Sequence, residues 1–249
     1  MLRLTMLGTL ALQSSHGPLA GAALRHRPLA ILALAATFAP CGVSRDKVVA
    51  SLWPESDRKH SHNCLRQTLF AIRRDLGHKL FLPGPSTLRL DPGVLAVDCW
   101  EFERALARRA YREAVDAYRG PFLDGFYVSG LAEFERWTEC ERDRLAHRYQ
   151  GALEALVAEA EGAGDWGGAV EWWSRLIELD PLSSRIALGL MRALVAAGDC
   201  AEALRRAAVH ERLLRVELEI LPDTGERVFV ERLRRRYAVD AAGSASGPR

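Results

Sequence analysis

The sequence predicts a mainly α-helical chain in two parts: a small α+β module at the N-terminus and an all-helical array behind it. Three observations point there. The apolar pattern of residues 1–98 reads as strand at both ends and as helix between them, whereas residues 99–236 read almost entirely as helix. Charge changes sign at the same place: residues 1–98 hold 12 Lys+Arg against 6 Asp+Glu, a net +6, and residues 99–249 hold 22 against 26, a net −4, which together restore the +2 of the whole chain. A self-similarity with a period of 34 residues lies wholly in the second part.

The elements follow in order. Residues 2–13 alternate apolar and polar for part of their length around Gly8, which suggests strand, and Ser14-Ser-His-Gly17 reads as a turn. The apolar run that follows Pro28 predicts a buried helix at about 28–38, with Pro28 in its first turn and Pro40 and Gly42 as its stop. That run is too short for a membrane span, which needs about 20 apolar residues. Ser44 is placed to cap a short helix at about 45–53, ended by Pro54. Ser56 or Asp57 caps a longer helix, about 57–76, whose Leu65, Leu69, Ile72 and Leu76 form one apolar stripe; Gly77 closes it. The segments 79–82 and 87–90 flank Pro83-Gly-Pro-Ser86 and predict a β-hairpin, with a further strand over Gly93–Val97. Strands, three helices and a terminal hairpin are the element order of a winged helix-turn-helix domain over 1–98.

In the second part Gly164-Asp165 recurs as Gly198-Asp199, Ala169 as Ala203, and Leu156-Val157 as Leu190-Met191. Thirty-four residues is the tetratricopeptide (TPR) period, in which Gly-Asp marks the turn between paired helices. Pro181 and Pro222 fall 41 apart, which predicts a longer second helix in the second unit. The expected organisation is therefore 1–98, a TPR-like helical domain over 99–239, and a disordered tail over 240–249.

The composition excludes several classes. A chain of 249 residues with 49% hydrophobic and 27% charged residues is neither disordered nor collagenous. The five cysteines are dispersed, odd in number and without a CxxC pair, as expected of a reduced, cytoplasmic protein rather than a disulfide scaffold. No GxxxxGK[ST], HExxH, GxSxG or GxGxxG is present, so no catalytic residue and no cofactor is assigned. His60 and His62 stand at i and i+2, on different helix faces, and no metal site is assigned. Asp223-Thr-Gly225 matches the aspartic-protease triplet, but that chemistry needs two such loops. Asp223 and Glu226 instead fit a capping box opening a helix at 225–236, with Leu221 and Phe229 packed around it. Of Trp166, Trp172 and Trp173, at least two are expected in the core. Phe122, Phe126, Tyr127, Phe134 and Trp137 are expected at an inter-helix or inter-domain contact.

Helix 57–76 carries the chemistry that remains. Opposite its apolar stripe lie Lys59, His62 or Asn63, Arg66, Phe70 and Arg73, spaced three or four apart and flanked by Arg58, Gln67 and Arg74. Arg, Asn and Gln hydrogen-bond guanine and adenine edges in the major groove, which admits an α-helix, and cations near the helix ends clamp phosphates. Asn63, Arg66, Gln67, Phe70 and Arg73 are the expected base-contact residues, and Arg58, Lys59, His62 and Arg74 the phosphate contacts. Phe70 has two readings, a contact with a thymine methyl or closure of the core. Lys79, Ser86, Thr87 and Arg89 mark the hairpin as a wing near the minor groove or backbone, or as an ordinary turn.

These residues resemble a known family. Leu4-Thr-Met-Leu-Gly8, Ser44-Arg-Asp-Lys-Val48, Leu52-Trp-Pro54 and, most specifically, Leu65-Arg-Gln-Thr-Leu-Phe-Ala-Ile-Arg-Arg-Asp-Leu-Gly77 resemble the OmpR-type winged helix of SARP-type bacterial regulators. Asp98-Cys-Trp-Glu-Phe102, Gly120-Pro-Phe-Leu123, Asp180-Pro181 and Glu217-Leu-Glu-Ile-Leu-Pro222 resemble the TPR-like bacterial transcriptional activation domain. The resemblance implies a sequence-specific activator of transcription in the bacterial cytoplasm. It implies 65–77 as recognition helix and the hairpin as wing. Double-stranded promoter DNA and RNA polymerase are its implied partners, with paired protomers on direct repeats and no membrane. No receiver or ATPase segment matches. A TPR-based interaction adaptor, its winged helix turned into a docking module, is the alternative.

Overall fold

The computed structural model describes residues 1–15, 17, 19, 21–76, 80–84 and 86–244, with side chains as far as residue 236. It is mainly α, with a small strand region at the N-terminus and a helical array after it. The chain divides into two compact units, Met1–Tyr149 and Gln150–Arg249.

In the first unit, β1 (Leu2–Thr5) pairs antiparallel with β2 (Ala11–Ser14), Leu4 opposite Leu12, and the chain reverses at Gly8 with φ 107°. Leu2 and Leu4 are buried while Arg3 between them is exposed, the period of two that a one-sided sheet requires. The helix α1 (His26–Thr37) is buried on nearly every side from Pro28 to Ala36, so it forms the centre of the module. The short strand β3 (Val43–Ser44) leads into α2 (Arg45–Leu52), whose first turn is capped as expected: the Ser44 hydroxyl accepts from the Lys47 amide at 3.1 Å. A third helix, α3 (Arg58–Leu76), follows the Trp53-Pro54 break.

After α3 the expected hairpin is present, but its strands part. Phe81 bridges Leu90, and the Leu82 amide donates to the Arg89 carbonyl at 2.8 Å. Closer to the tip, β4 (Thr87–Leu88) pairs with β3. The last strand, β5 (Leu95–Val97), leaves the hairpin and joins β1 in parallel, Leu4 beside Val97. Gly42 permits the β3–β4 approach. Its φ is 80°, and a Cβ there would lie 2.3 Å from Arg89 Cγ and 2.7 Å from the Leu88 carbonyl oxygen.

The switch in charge and pattern falls at residue 98, but the boundary in packing falls fifty residues later. Two helices, α4 (Asp98–Ala107) and α5 (Tyr111–Ala117), and the N-terminal part of a third, α6 (Ala132–Ala163), belong to the first unit. Backbone bonds explain why. The Leu123 amide donates to the Met6 carbonyl at 2.8 Å, and the Gly8 amide to the Pro121 carbonyl at 3.0 Å. Asp98 adds a clamp: it is 4% exposed, and its carboxylate accepts from the amides of Met6, Leu7 and Cys99 at 2.8–3.0 Å. Burial pushes its carboxyl pKa up, against the pull of those amides and of Arg3. The aromatic residues gather here as expected, Phe122 edge-on to Trp137 at 5.6 Å and Phe134 at 5.2 Å from Trp137, while Tyr127 stays exposed.

The second unit contains α7 (Trp166–Leu179), α8 (Ser184–Ala196), α9 (Cys200–Glu217) and α10 (Thr224–Ser244). The 34-residue repeat is visible bond by bond. Gly164 and Gly198 have φ 71° and 90°, and their amides donate to Glu161 and Val195 at 3.1 Å. The amides of Asp165 and Asp199 donate to Ala160 and Leu194 at 2.9 Å. The carboxylates of those two aspartates then cap α7 and α9 through the amides of Gly168 and Glu202, both at 2.9 Å. The second helix of the second pair is longer, 18 residues against 14. Trp172 is buried, and half-buried Trp173 packs its ring against Gly189 and donates to Glu161 at 2.9 Å; Trp166 remains at the surface.

Two local expectations are corrected. Asp223 does cap α10, accepting from the Glu226 amide at 2.7 Å, but Glu226 does not reach back to complete a capping box. Its carboxylate turns inward to His210 Nδ1 at 2.9 Å, and both side chains are buried. Leu221, expected to pack there, is 53% exposed. The α10 helix is assigned as far as Ser244, inside the segment 240–249 read from sequence as tail, and residues 245–249 lie outside the described residues.

Candidate nucleic-acid interface

The α3 helix is built to present one face. Asp57 Oδ1 accepts from the His60 amide at 3.0 Å and fixes its start, so Asp57 rather than Ser56 is the cap. Ser61 is buried, and its hydroxyl donates to the carbonyls of Asp57 and Arg58. Leu65, Leu69, Ile72 and Leu76 are all buried against the module core, which fixes the helix rotation. Arg73 and Arg74 in the last turn oppose the negative end of the helix dipole.

That rotation sends the nine predicted α3 residues outward. Arg58, Lys59, Arg66, Gln67, Phe70, Arg73 and Arg74 are exposed, and His62 and Asn63 are half-buried. Phe70 is 67% exposed, so it does not close the core. Arg66 Nη2 donates to Asn63 Oδ1 at 2.7 Å, which holds these two side chains together. Among the described residues, Lys59, Gln67 and Arg73 have no ion pair or side-chain hydrogen bond. Arg74 is different: its guanidinium meets Asp75 at 2.7 Å and holds that carboxyl below its usual range, while Asp75 also accepts from the Ala23 amide at 3.2 Å. Arg74 is thus exposed but partly committed to bracing α3 against the turn Ala22–Leu24.

Two residues of α2 belong to this surface and were not singled out from sequence. Asp46 meets His62 Nε2 at 3.0 Å and Arg58 at 3.6 Å, and Arg45 lines the same open concavity as Lys59, Asn63 and Arg66. The Arg58–Asp46 pair is exposed at both partners, 85% and 68%, so it contributes little to stability. The sequence signals for them are the position just after the Ser44 cap and their place in the Ser44–Val48 stretch of the family resemblance.

The hairpin brings Ser86 and Arg89 to the surface. Thr87 is half-buried and committed to the β3–β4 pairing. The Ser86 carbonyl accepts from the Arg45 amide at 2.9 Å, which ties the hairpin to the start of α2. Lys79 lies outside the described residues.

Among the described residues no group of three or more His, Cys, Asp or Glu is placed to hold a metal, and no helix is long and apolar enough to cross a membrane. His62 is turned to Asp46.

Comparison with known proteins agrees with this architecture. The sequence profile of the bacterial transcriptional activator domain matches residues 100–234. The solved structure of Mycobacterium tuberculosis EmbR in complex with a low-affinity phosphopeptide superposes with a TM-score of 0.64 at 19% identity, covering 94% of this chain. The chain spans 65% of that protein's length, and the likeness is one of fold. No curated protein matches by sequence.

Proposed function

The chain belongs to the bacterial transcriptional activator domain family, as its resemblance to SARP-type regulators implied, and from that premise we propose that it regulates transcription by binding promoter DNA through α3. One observation carries the reading: a rigid, capped helix presents Asn63, Arg66, Gln67 and Arg73 outward together, with Lys59 and Arg73 free of acidic partners among the described residues. An α-helix with such a face fits the major groove, where Arg reads guanine and Asn or Gln reads adenine. Arg45, Arg58, Lys59 and His62 near its start, and Arg74 near its end, are the phosphate contacts. Ser86 and Arg89, with Lys79, form the wing.

In this reading residues 1–98 are the DNA-binding module, although α4 and α5 pack with it. Residues 99–239 hold RNA polymerase or a second protomer on a direct repeat, which makes the protein an activator working in the cytoplasm. The family is one of regulators rather than enzymes, and no residue is given a catalytic role.

The test is to select bound duplexes from a random pool with the full chain, then measure affinity for the best duplex. Arg66→Ala and Arg73→Ala should each weaken it by about 1–3 kcal/mol, roughly 5- to 150-fold. Unchanged affinity in both variants would overturn the assignment of α3.

A further inference from the structure

Phe70 is the anomaly on this face. It is a large apolar side chain, 67% exposed, in a helix whose leucines and isoleucine are all buried. Its neighbours one helical turn away in each direction, at three and four residues, are Arg66, Gln67, Arg73 and Arg74, all exposed. Phe70 therefore stands in the middle of the polar face, with three arginine positions and a glutamine position around it on the helix surface.

An exposed phenyl ring gains nothing from water, and among the described residues Phe70 is the one phenylalanine that is exposed; Phe102, Phe122 and Phe134 are each at most 1% exposed. The positions around it on the helix surface are cationic and hydrogen-bonding, which suits an occupant bearing phosphates and base edges with one apolar group among them. The major groove has one such group, the C5-methyl of thymine, and contact with it is how apolar side chains read sequence there.

We propose that Phe70 is a specificity-determining residue that reads a thymine methyl, set between the base edges bonded by Arg66 and Gln67 on one side and Arg73 on the other. This deepens the DNA-binding reading and rests on it. The operator would carry a thymine within a base pair or two of the position that Arg66 contacts. Phe70 would contribute to sequence preference and little to affinity for random DNA.

The experiment uses the full chain and the best duplex recovered from a random pool, resynthesised with deoxyuridine in place of each thymidine in turn. This removes one methyl and leaves every hydrogen-bonding edge unchanged. At one position or two adjacent ones, the replacement should weaken wild-type binding about 4-fold, the transfer value of one buried methyl. In Phe70→Ala, which leaves the buried stripe intact, the same replacement should have no effect, and Phe70→Leu should restore part of it. Circular dichroism and thermal unfolding matching wild type establish that the variants fold. Wild-type binding insensitive to every deoxyuridine would overturn the proposal while leaving DNA binding by α3 in place. So would a methyl effect that persists in Phe70→Ala. Loss of polymerase capture in Phe70→Ala with DNA affinity and deoxyuridine sensitivity unchanged would assign the ring to a protein partner instead. Failure to recover any duplex from the pool would overturn the DNA-binding reading, and this proposal with it.

Discussion

Arginine is the dominant cation in both parts of this chain, yet it has different surroundings on α3 and in the helical array. In residues 99–249 arginine after arginine is matched with glutamate on its own or a neighbouring helix: Arg144 and Arg148 share Glu103, Arg175 meets Glu171, Arg185 meets Glu154, Arg205 and Arg206 share Glu202, and Arg215 meets Glu211. On α3 the acids ion-paired with its basic residues are Asp46 at its start and Asp75 at its end, and between them Lys59, Arg66 and Arg73 stand without an ion pair among the described residues. The difference teaches that a count of arginines says nothing about partners until each one's neighbours are known. Paired cations neutralise a surface; unpaired cations in a row present a field that an external polyanion can neutralise.

The largest effect expected from breaking this contrast lies where the array buries a pair instead of exposing it. His210 and Glu226 are 5% and 1% exposed side chains bonded at 2.9 Å. Glu226→Ala leaves the imidazole buried without its partner and should cost about 3–5 kcal/mol of stability, read as a denaturant midpoint. Burial lowers the His210 pKa, but the hydrogen bond and charge of Glu226 outweigh it and leave the value raised above 6.5. The folded state therefore holds a proton that the unfolded state has released. The stabilisation is complete below about pH 6.5 and is lost as pH rises through the folded-state pKa. Thermal unfolding followed across that range should show this decline in wild type and not in His210→Gln.

Next in size is the face of α3. Arg66→Ala and Arg73→Ala should lower duplex affinity by about 1–3 kcal/mol each while leaving the unfolding temperature unchanged, a separation that anisotropy titration and thermal melts report together. Lys59→Ala should do less, weakening binding evenly across sequences and reducing the salt slope by about 1.

The smallest effect is expected from the array's exposed pairs. Arg206→Ala breaks an i,i+4 contact with Glu202, whose carboxyl is held below its usual range first by Arg205 and then by Arg206. The cost should be about 0.3–0.5 kcal/mol in a melt, with no change in duplex binding. A loss of duplex affinity in this variant would erase the contrast between the two regions.

The features legible in the sequence were local ones. The Ser44 and Asp57 caps, the Leu65–Leu69–Ile72–Leu76 stripe and the paired Gly-Asp turns each lie within a few residues of what they specify, so periodicity and cap chemistry suffice to place them. What was not legible depends on contacts between distant segments. Nothing near Asp98 announces that it will accept amides from Met6 and Leu7, more than 90 residues earlier. Nothing near Gly93 tells that the next strand will leave the hairpin for β1. Glu226 satisfied a local capping pattern, but the buried imidazole 16 residues before it in sequence claimed its carboxylate. For the site, α3 and its outward residues were readable from one helix alone, whereas Arg45 and Asp46 join it only through the packing of α2 beside α3.

The most direct measurement is the salt dependence of binding to a random duplex by wild type, by Lys59→Ala/Arg66→Ala/Arg73→Ala, and by Arg205→Ala/Arg206→Ala as the array control. If α3 neutralises phosphates, log affinity should fall linearly with log salt for wild type and for the array control alike. The α3 variant should show a shallower slope by roughly one for each cation that contacts a phosphate. A flat wild-type line would contradict DNA binding and favour a protein-interaction adaptor, and equal slopes in all three proteins would place the DNA contact somewhere other than α3.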